Sequence, residues 1–430
     1  MIYIGKYLIK RSKKLKKIIL FFLLILVSLT GCTKFDDTNT QNGNIDNTKE
    51  DEKLPDKQDN PSEPSKPTEP SEPTVIVEEK TLAEQTLEKM TLEEKIGQLL
   101  FVRPEVLDNG PQENATGINS SNANGTAYIS ENIISNLDKY KVGGVILFGK
   151  NIVDPEQTTA FIKELQNNST YPLFIGVDEE GGIVARVANN PNFNVTQFPN
   201  MNVIGNTQDY SKAKEVGLTI GTYLKELGFN ITFAPVADVN TNPQNIVIGP
   251  RAFGSDPSLV AKMVASELEG LHEANIMSCI KHFPGHGDTT DDTHSGYVAV
   301  NKTLEELKSC EFIPFEAGIE AKTDMIMIAH ITANNVTNDN LPSTLSYKMV
   351  TNVLRNHLKY NGVVITDALE MGAIAQNYTC TEACVQSILA GVDILLTPQN
   401  LEEAYNGLLE AVAGPAGQRA GMVSYCAMTR

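Results

Sequence analysis

The sequence lacks the cysteine patterns that staple or metallate small domains. Six cysteines are present, and Cys279, Cys310, Cys380, Cys384 and Cys426 show neither disulfide-scaffold nor zinc-ribbon spacing. Buried free thiols are the expectation at those five positions. Basic residues are also scarce: after residue 31 there are 28 of them against 53 acidic ones, about −25 formal charges, which argues against nucleic acid as a partner. Tryptophan is absent, and 41% apolar content in 430 residues admits one large domain or two medium ones. Residues 33–60 hold hardly any large apolar groups, so they cannot bury enough surface to offset chain entropy and are expected to be disordered.

Acidic residues are missing altogether from residues 1–31, which carry seven basic ones. The basic cluster Lys10 to Lys17 precedes the apolar run Ile18 to Leu29, the order of a secretory signal peptide. That run of about 12 residues is short for a membrane span, which needs about 20. Its end, Leu29-Thr30-Gly31-Cys32, resembles a bacterial lipobox, which implies lipidation at Cys32 and an extracytoplasmic chain anchored to the membrane. Pro61, Pro64, Pro67, Pro70 and Pro73 then recur every third residue, as suits a polyproline II spacer. At about 3.1 Å per residue it would extend roughly 40 Å. The expected organisation is a signal peptide over 1–31, a tether over 32–79, a catalytic domain over 80–412 and an atypical tail over 413–430 that looks truncated.

From about Thr81 short apolar runs alternate with amphipathic stretches of helix length, which implies parallel strands joined by crossover helices. Strands are expected near Ile96–Phe101, Gly144–Phe148, Leu173–Val177, Ile231–Pro235, Ile276–Lys281, Met325–His330, Gly362–Thr366 and Val392–Thr397. Helices are expected over Asp209–Leu227, Pro257–Ala274, Leu304–Ala321 and Leu401–Val412, with a capping box from Thr91 to Glu94. Eight such units fit an α/β fold of the (β/α)8 TIM-barrel type, whose active site lies at the C-terminal strand ends. Polar residues gather there: Asp178-Glu179-Glu180, Asp238, Lys281-His282, His330 and Asp367. A doubly wound sheet would place ligands mainly at one switch point instead.

The segment from Lys281 to His294 is a Gly/Pro-rich loop with three histidines after an apolar strand. Pro284 and Gly285 separate His282 from His286, so the helical i,i+4 face of zinc proteases is not available and no metal is expected. For His286 a hydrogen bond within its own turn is the preferred account. Asp292 and His294 are two apart, so the carboxylate can fix the imidazole's tautomer and raise its pKa, leaving it fit to exchange protons near neutral pH. Asp367 ends an apolar strand, where its two readings are a catalytic carboxylate and a helix N-cap. Arg251 and Lys281 read either as surface charges or as pocket groups, and the apolar strand before Lys281 favours a pocket.

Lys281-His282-Phe283-Pro284-Gly285-His286-Gly287 with Asp292-Thr293-His294 resembles the signature of family 3 glycoside hydrolases, in their β-N-acetylglucosaminidase branch. Further matches are Gly176 to Gly182 with Arg186, Ala234 to Val239, Arg251 to Pro257, Ala329-His330-Ile331, Leu341 to Ser346 and Ile365 to Met371. The resemblance implies a retaining mechanism: Asp367 is the nucleophile, and His294, oriented by Asp292, the acid/base. It places Asp178, Arg186, Arg251, Lys281 and His282 on the hydroxyls and acetamido group of the sugar. The implied substrate is a terminal GlcNAc of a glycan or muropeptide, cleaved by a monomer without cofactor or metal.

Ile183, Thr293 and Ala368 depart from the family's usual arginine, serine and aspartate, and none of them removes a catalytic group. A histidine in place of a second carboxylate lowers repulsion toward anions, so a GlcNAc phosphorylase is one alternative. A β-glucosidase or xylosidase of the same family and a non-catalytic sugar-binding lipoprotein are the others.

Overall fold

A computed structural model describes residues 80–108, 125–290, 292–293 and 296–413. The expected signal peptide, the tether, Cys32, His294, Cys426 and the tail from 414 lie outside the described residues.

Eight parallel strands carry the domain: β1 Leu100–Val102, β2 Gly144–Ile146, β3 Phe174–Val177, β4 Ile231–Thr232, β5 Met277–Phe283, β6 Met325–Ile328, β7 Val363–Thr366 and β8 Leu395–Leu396. Neighbours in sequence are neighbours in the sheet, except that β1 also pairs with β8, Leu100 opposite Leu395 and Phe101 opposite Leu396. A parallel bridge from Ile365 to Ile394 joins β7 to the approach of β8, so the eight strands form a nearly closed ring. All eight expected strands are present. The first expectation began too early: Ile96 to Gln98 finish a helix, Leu92–Gln98, started by the Thr91–Glu94 capping box. The apolar run from Ile96 serves that helix's buried face before it serves the strand, and a continuous apolar run cannot mark where one ends.

Alternation along each strand sends one set of side chains inward and the other toward the helices. The inward set makes its own core, with Phe101, Ile146, Phe233, Met327 and Ile365 among its members. Phe101 meets Phe233 edge-on at 5.6 Å. Gly144 and Gly176 admit these rings: a Cβ at Gly144 would stand 2.7 Å from Phe101, and one at Gly176 2.9 Å from Phe233.

Helices Tyr210–Leu227 and Pro257–Glu273 start on the side-chain caps Asp209 and Asp256 and pack on each other outside the ring. Their crossing is close at Gly217, where a Cβ would lie 2.1 Å from the Glu267 carbonyl oxygen. The helix expected over Leu304–Ala321 is two, Leu304–Ser309 and Phe312–Glu320. Pro314 explains the break, because it has no N–H for the Cys310 carbonyl four residues back and its ring collides with it. The final helix, Leu401–Ala413, lies against Cys380–Ala390 and against Leu92–Gln98. No described helix is long and apolar enough to cross a membrane.

Candidate active site

Parallel strands deliver their C-terminal ends to one face, and the charged residues after β3 and β4 meet those at the end of β5 there. Asp178 and Glu180 lie two apart and share one side of the chain. Glu179, between them, turns the other way and accepts from the Tyr223 hydroxyl at 2.8 Å and from the Arg186, Val187 and Ala188 amides at 2.6 to 2.8 Å. On the site side, Lys281 Nζ reaches Asp178 Oδ1 at 2.7 Å and Glu180 Oε1 at 2.6 Å. Arg251 grips Glu180 with both arms of its guanidinium, Nε to Oε2 at 2.8 Å and Nη2 to Oε1 at 2.7 Å. Lys281 is 2% exposed, so it is a pocket group and not a surface charge.

His282 Nδ1 donates to Asp238 Oδ2 at 2.6 Å, which places the proton on Nδ1 and leaves Nε2 as an acceptor toward Arg251 Nη2 at 3.4 Å. The other Asp238 oxygen accepts the His286 amide at 2.6 Å. Two cis peptide bonds, Lys281–His282 and Phe283–Pro284, lie in this stretch. The His286 ring sits 2.6 Å from Thr289 Oγ1, within its own turn. Arg186 follows the hairpin Glu179–Gly181/Val184–Ala185, and its buried Nε has no hydrogen-bond partner among the described residues.

Burial opposes ionisation of Glu180, yet the charges of Arg251 and Lys281 outweigh it and hold the carboxyl well below its ordinary range. Burial likewise opposes the Lys281 charge, which Asp178 and Glu180 more than restore, so the ammonium is held above its usual value. His286 is the reverse case: burial, with His282 beside it, pulls its imidazole down. The site therefore presents cations and carboxylates paired with one another, Lys281 with Asp178 and Glu180 and Arg251 with Glu180, a pattern suited to a ligand with many hydroxyls and no strong charge.

Asp367 follows β7 and is half-buried. Its Oδ1 accepts the Ala368 amide at 2.8 Å, and its own amide is bound to the Ile328 carbonyl at 2.9 Å. It caps no helix: the next one, Gly372–Ala375, is preceded by Met371. Burial pushes the Cys279 thiol in β5 up, against the opposing charge of Lys281. His330, after β6, donates from Nε2 to the Ala368 carbonyl at 2.9 Å, while its Nδ1 lies 2.8 Å from Thr344 Oγ1.

The loop bearing Asp292 is tied to the Asp367 side, since the buried Thr293 accepts at its carbonyl from the Ala373 amide at 3.0 Å. His294 is outside the described residues, and with it the geometry of the Asp292–His294 pair. No three His, Cys, Asp or Glu side chains converge on a metal position among the described residues. Ile183, which stands where an arginine was expected, is 58% exposed. Two residues with roles here had no role assigned from sequence. Glu180 was one of three consecutive acids, and only the strand's alternation separates it from Glu179. Asp238 was marked as a strand-end acid, and its two partners, the His282 ring and the His286 amide, come from β5 and the loop after it.

The fold and site together describe an α/β barrel with a cluster of buried, paired charges at its C-terminal mouth. Comparison makes this specific: the glycosyl hydrolase family 3 N-terminal domain matches residues 91–418, and the chain belongs to that family. It is 37% identical over 281 residues to a protein named beta-hexosaminidase A from Pseudoalteromonas piscicida, a match covering 61% of this chain and 46% of that one. A beta-hexosaminidase from Tolumonas auensis is 34% identical over 284 residues, covering 65% of this chain and 82% of the relative. The solved family 3 beta-N-acetylglucosaminidase from Paenibacillus sp. str. FPU-7 superposes with a TM-score of 0.69 at 34% identity, covering 79% of this chain and 61% of that one. The chain thus spans about half the length of the Pseudoalteromonas relative.

Proposed function

We propose that the protein is a retaining exo-β-N-acetylglucosaminidase that removes terminal GlcNAc from peptidoglycan fragments or related glycans. The observation that carries this reading is Asp367: a half-buried carboxylate at the end of a barrel strand, held by the Ala368 amide and capping no helix, on the same face as the Lys281–Asp178–Glu180–Arg251–His282 cluster. Similarity to named beta-hexosaminidases supports the choice of sugar. In this reading the Asp367 oxygen bonds to the anomeric carbon as the glycosidic C–O bond breaks, and the His294 imidazolium gives its proton to the departing oxygen. Water then donates a proton to His294 and attacks the anomeric carbon, which frees the Asp367 carboxylate. Asp178, Lys281, Arg251 and His282 hold the hydroxyls and the acetamido group.

An aryl GlcNAc glycoside tests the assignment. Asp367→Ala is expected to lose nearly all activity. His294→Ala is expected to keep most of the glycosylation rate with a good leaving group, which needs little protonation. Full activity in both variants rejects the two roles.

We infer also that the mature chain is anchored extracytoplasmically through a lipid on Cys32, from the basic, apolar and Leu29-Thr30-Gly31-Cys32 order. Detergent phase partitioning of cell extracts should place the wild type with the membrane and Cys32→Ala in the aqueous phase. Equal partitioning of the two would end this reading.

A further inference from the structure

The turn after Asp367 is pinned from three other strands. His330, after β6, holds the Ala368 carbonyl at 2.9 Å. The Leu396 carbonyl of β8 holds the Leu369 amide at 3.0 Å. Arg103, immediately after β1, donates from Nη1 to Glu370 Oε1 at 2.8 Å, and both side chains are 11% exposed. The first two contacts take hold of the turn's own backbone, one through the His330 ring and one through the Leu396 carbonyl. The third is a side-chain pair that joins residues at opposite ends of the domain.

Arg103 is itself held. Its guanidinium lies over the Phe148 ring at 5.2 Å, and its Nε faces Glu105 Oε2 at 3.5 Å. Glu105 in turn accepts at Oε1 from the Asn151 amide group at 2.6 Å and from the Thr126 backbone at 3.1 Å. A chain of side chains thus runs from the loop after β2, through the end of β1, to the third residue beyond Asp367. Nothing about barrel closure requires it, since β1 and β8 are already joined by their backbone ladder. Once desolvation is counted, a buried ion pair adds little net stability.

We propose that Arg103 and Glu370 form a positioning pair that sets the Asp367 carboxylate for attack, acting through the 368–371 turn without touching the sugar. The proposal rests on the reading of Asp367 as the nucleophile. A carboxylate held at attack distance owes much of its rate to orientation, so loosening the turn slows bond formation and leaves binding alone.

The test uses the full chain and an aryl GlcNAc glycoside. Glu370→Gln, nearly isosteric, and Arg103→Met are each expected to lower kcat roughly 10- to 100-fold with KM within about twofold. The double variant is expected to be no slower than the worse single one, because both break the same link. Arg103→Lys should recover part of the loss. In an Asp367→Gly background with azide as external nucleophile, adding Glu370→Gln should leave the rescued rate unchanged, because no carboxylate remains to be positioned. A general structural role would lower that rate too, and overturns the proposal. A rise in KM at constant kcat makes the pair a substrate contact and also overturns it, as does wild-type kcat in Glu370→Gln. Activity retained by Asp367→Ala would instead defeat the reading on which the proposal rests, and the two failures are therefore separable.

Discussion

Glu180 shows what a single residue does here that its neighbour does not. Both Glu179 and Glu180 are buried, but Glu179 is satisfied by three amides and a hydroxyl, whereas Glu180 answers two cations. Burial alone would raise the Glu180 carboxyl, and Arg251 with Lys281 reverses this, so its folded value lies below the ordinary 4.5. A depressed carboxylate contributes stability that is complete above the unfolded value and is lost as pH falls through it toward the folded one. Replacement by Gln is expected to cost about 3–5 kcal/mol at neutral pH, because it leaves Lys281 and Arg251 short of an anion. Urea unfolding from pH 6 to pH 3 should show the gap between wild type and Glu180→Gln narrowing below about pH 5. A gap that stays constant would mean that Glu180 is not the group titrating. The sequence marked the stretch Asp178-Glu179-Glu180 as polar and at a strand end; it could not tell which acid faces the mouth, because that depends on where the chain's alternation starts. His282 was marked from its motif, yet its tautomer is set by Asp238, a residue 44 positions away that no local pattern connects to it.

At the scale of elements, hydrophobic runs located all eight strands, since a strand buried on both faces reads as a short continuous apolar stretch. What the runs did not mark was the junction of helix and strand at Ile96–Leu100, where both elements draw on the same apolar residues. They also concealed the break at Cys310, although Pro314 was a visible signal for it. The helix pair outside β3 to β5 gives a prediction at this scale. Gly217 lets the two helices touch backbone to backbone, so Gly217→Ala should force them apart. The helix propensity of Ala favours the substitution and the collision opposes it. The collision wins, because a Cβ 2.1 Å from a carbonyl oxygen needs backbone movement. A loss of about 1–3 kcal/mol is expected in thermal or chemical unfolding. An unchanged or raised midpoint would show that the crossing is more pliable than its geometry implies.

For the whole molecule, the core inside the ring and the core outside it are separate sets of side chains, and Phe101 belongs to the inner one. Its ring touches the space above Gly144 and packs against Phe233 and Phe174, so it is shared among strands β1 to β4. Phe101→Ala should cost about 3–5 kcal/mol and lower the denaturant midpoint of the whole barrel at once, not of one segment. Hydrogen exchange that sped up only near β1 would contradict a ring unfolding as a unit.

The pairing of β1 with β8 has one more consequence, for the order of events in the cell. The barrel's opening strand is made well before its partner on one side, since Leu100 pairs with Leu395. Until then Leu100 and Phe101 offer a bare hydrogen-bonding edge and a greasy ring to any passing chain. Closing the ring therefore joins residues far apart in sequence, a non-local step that is expected to be slow in refolding.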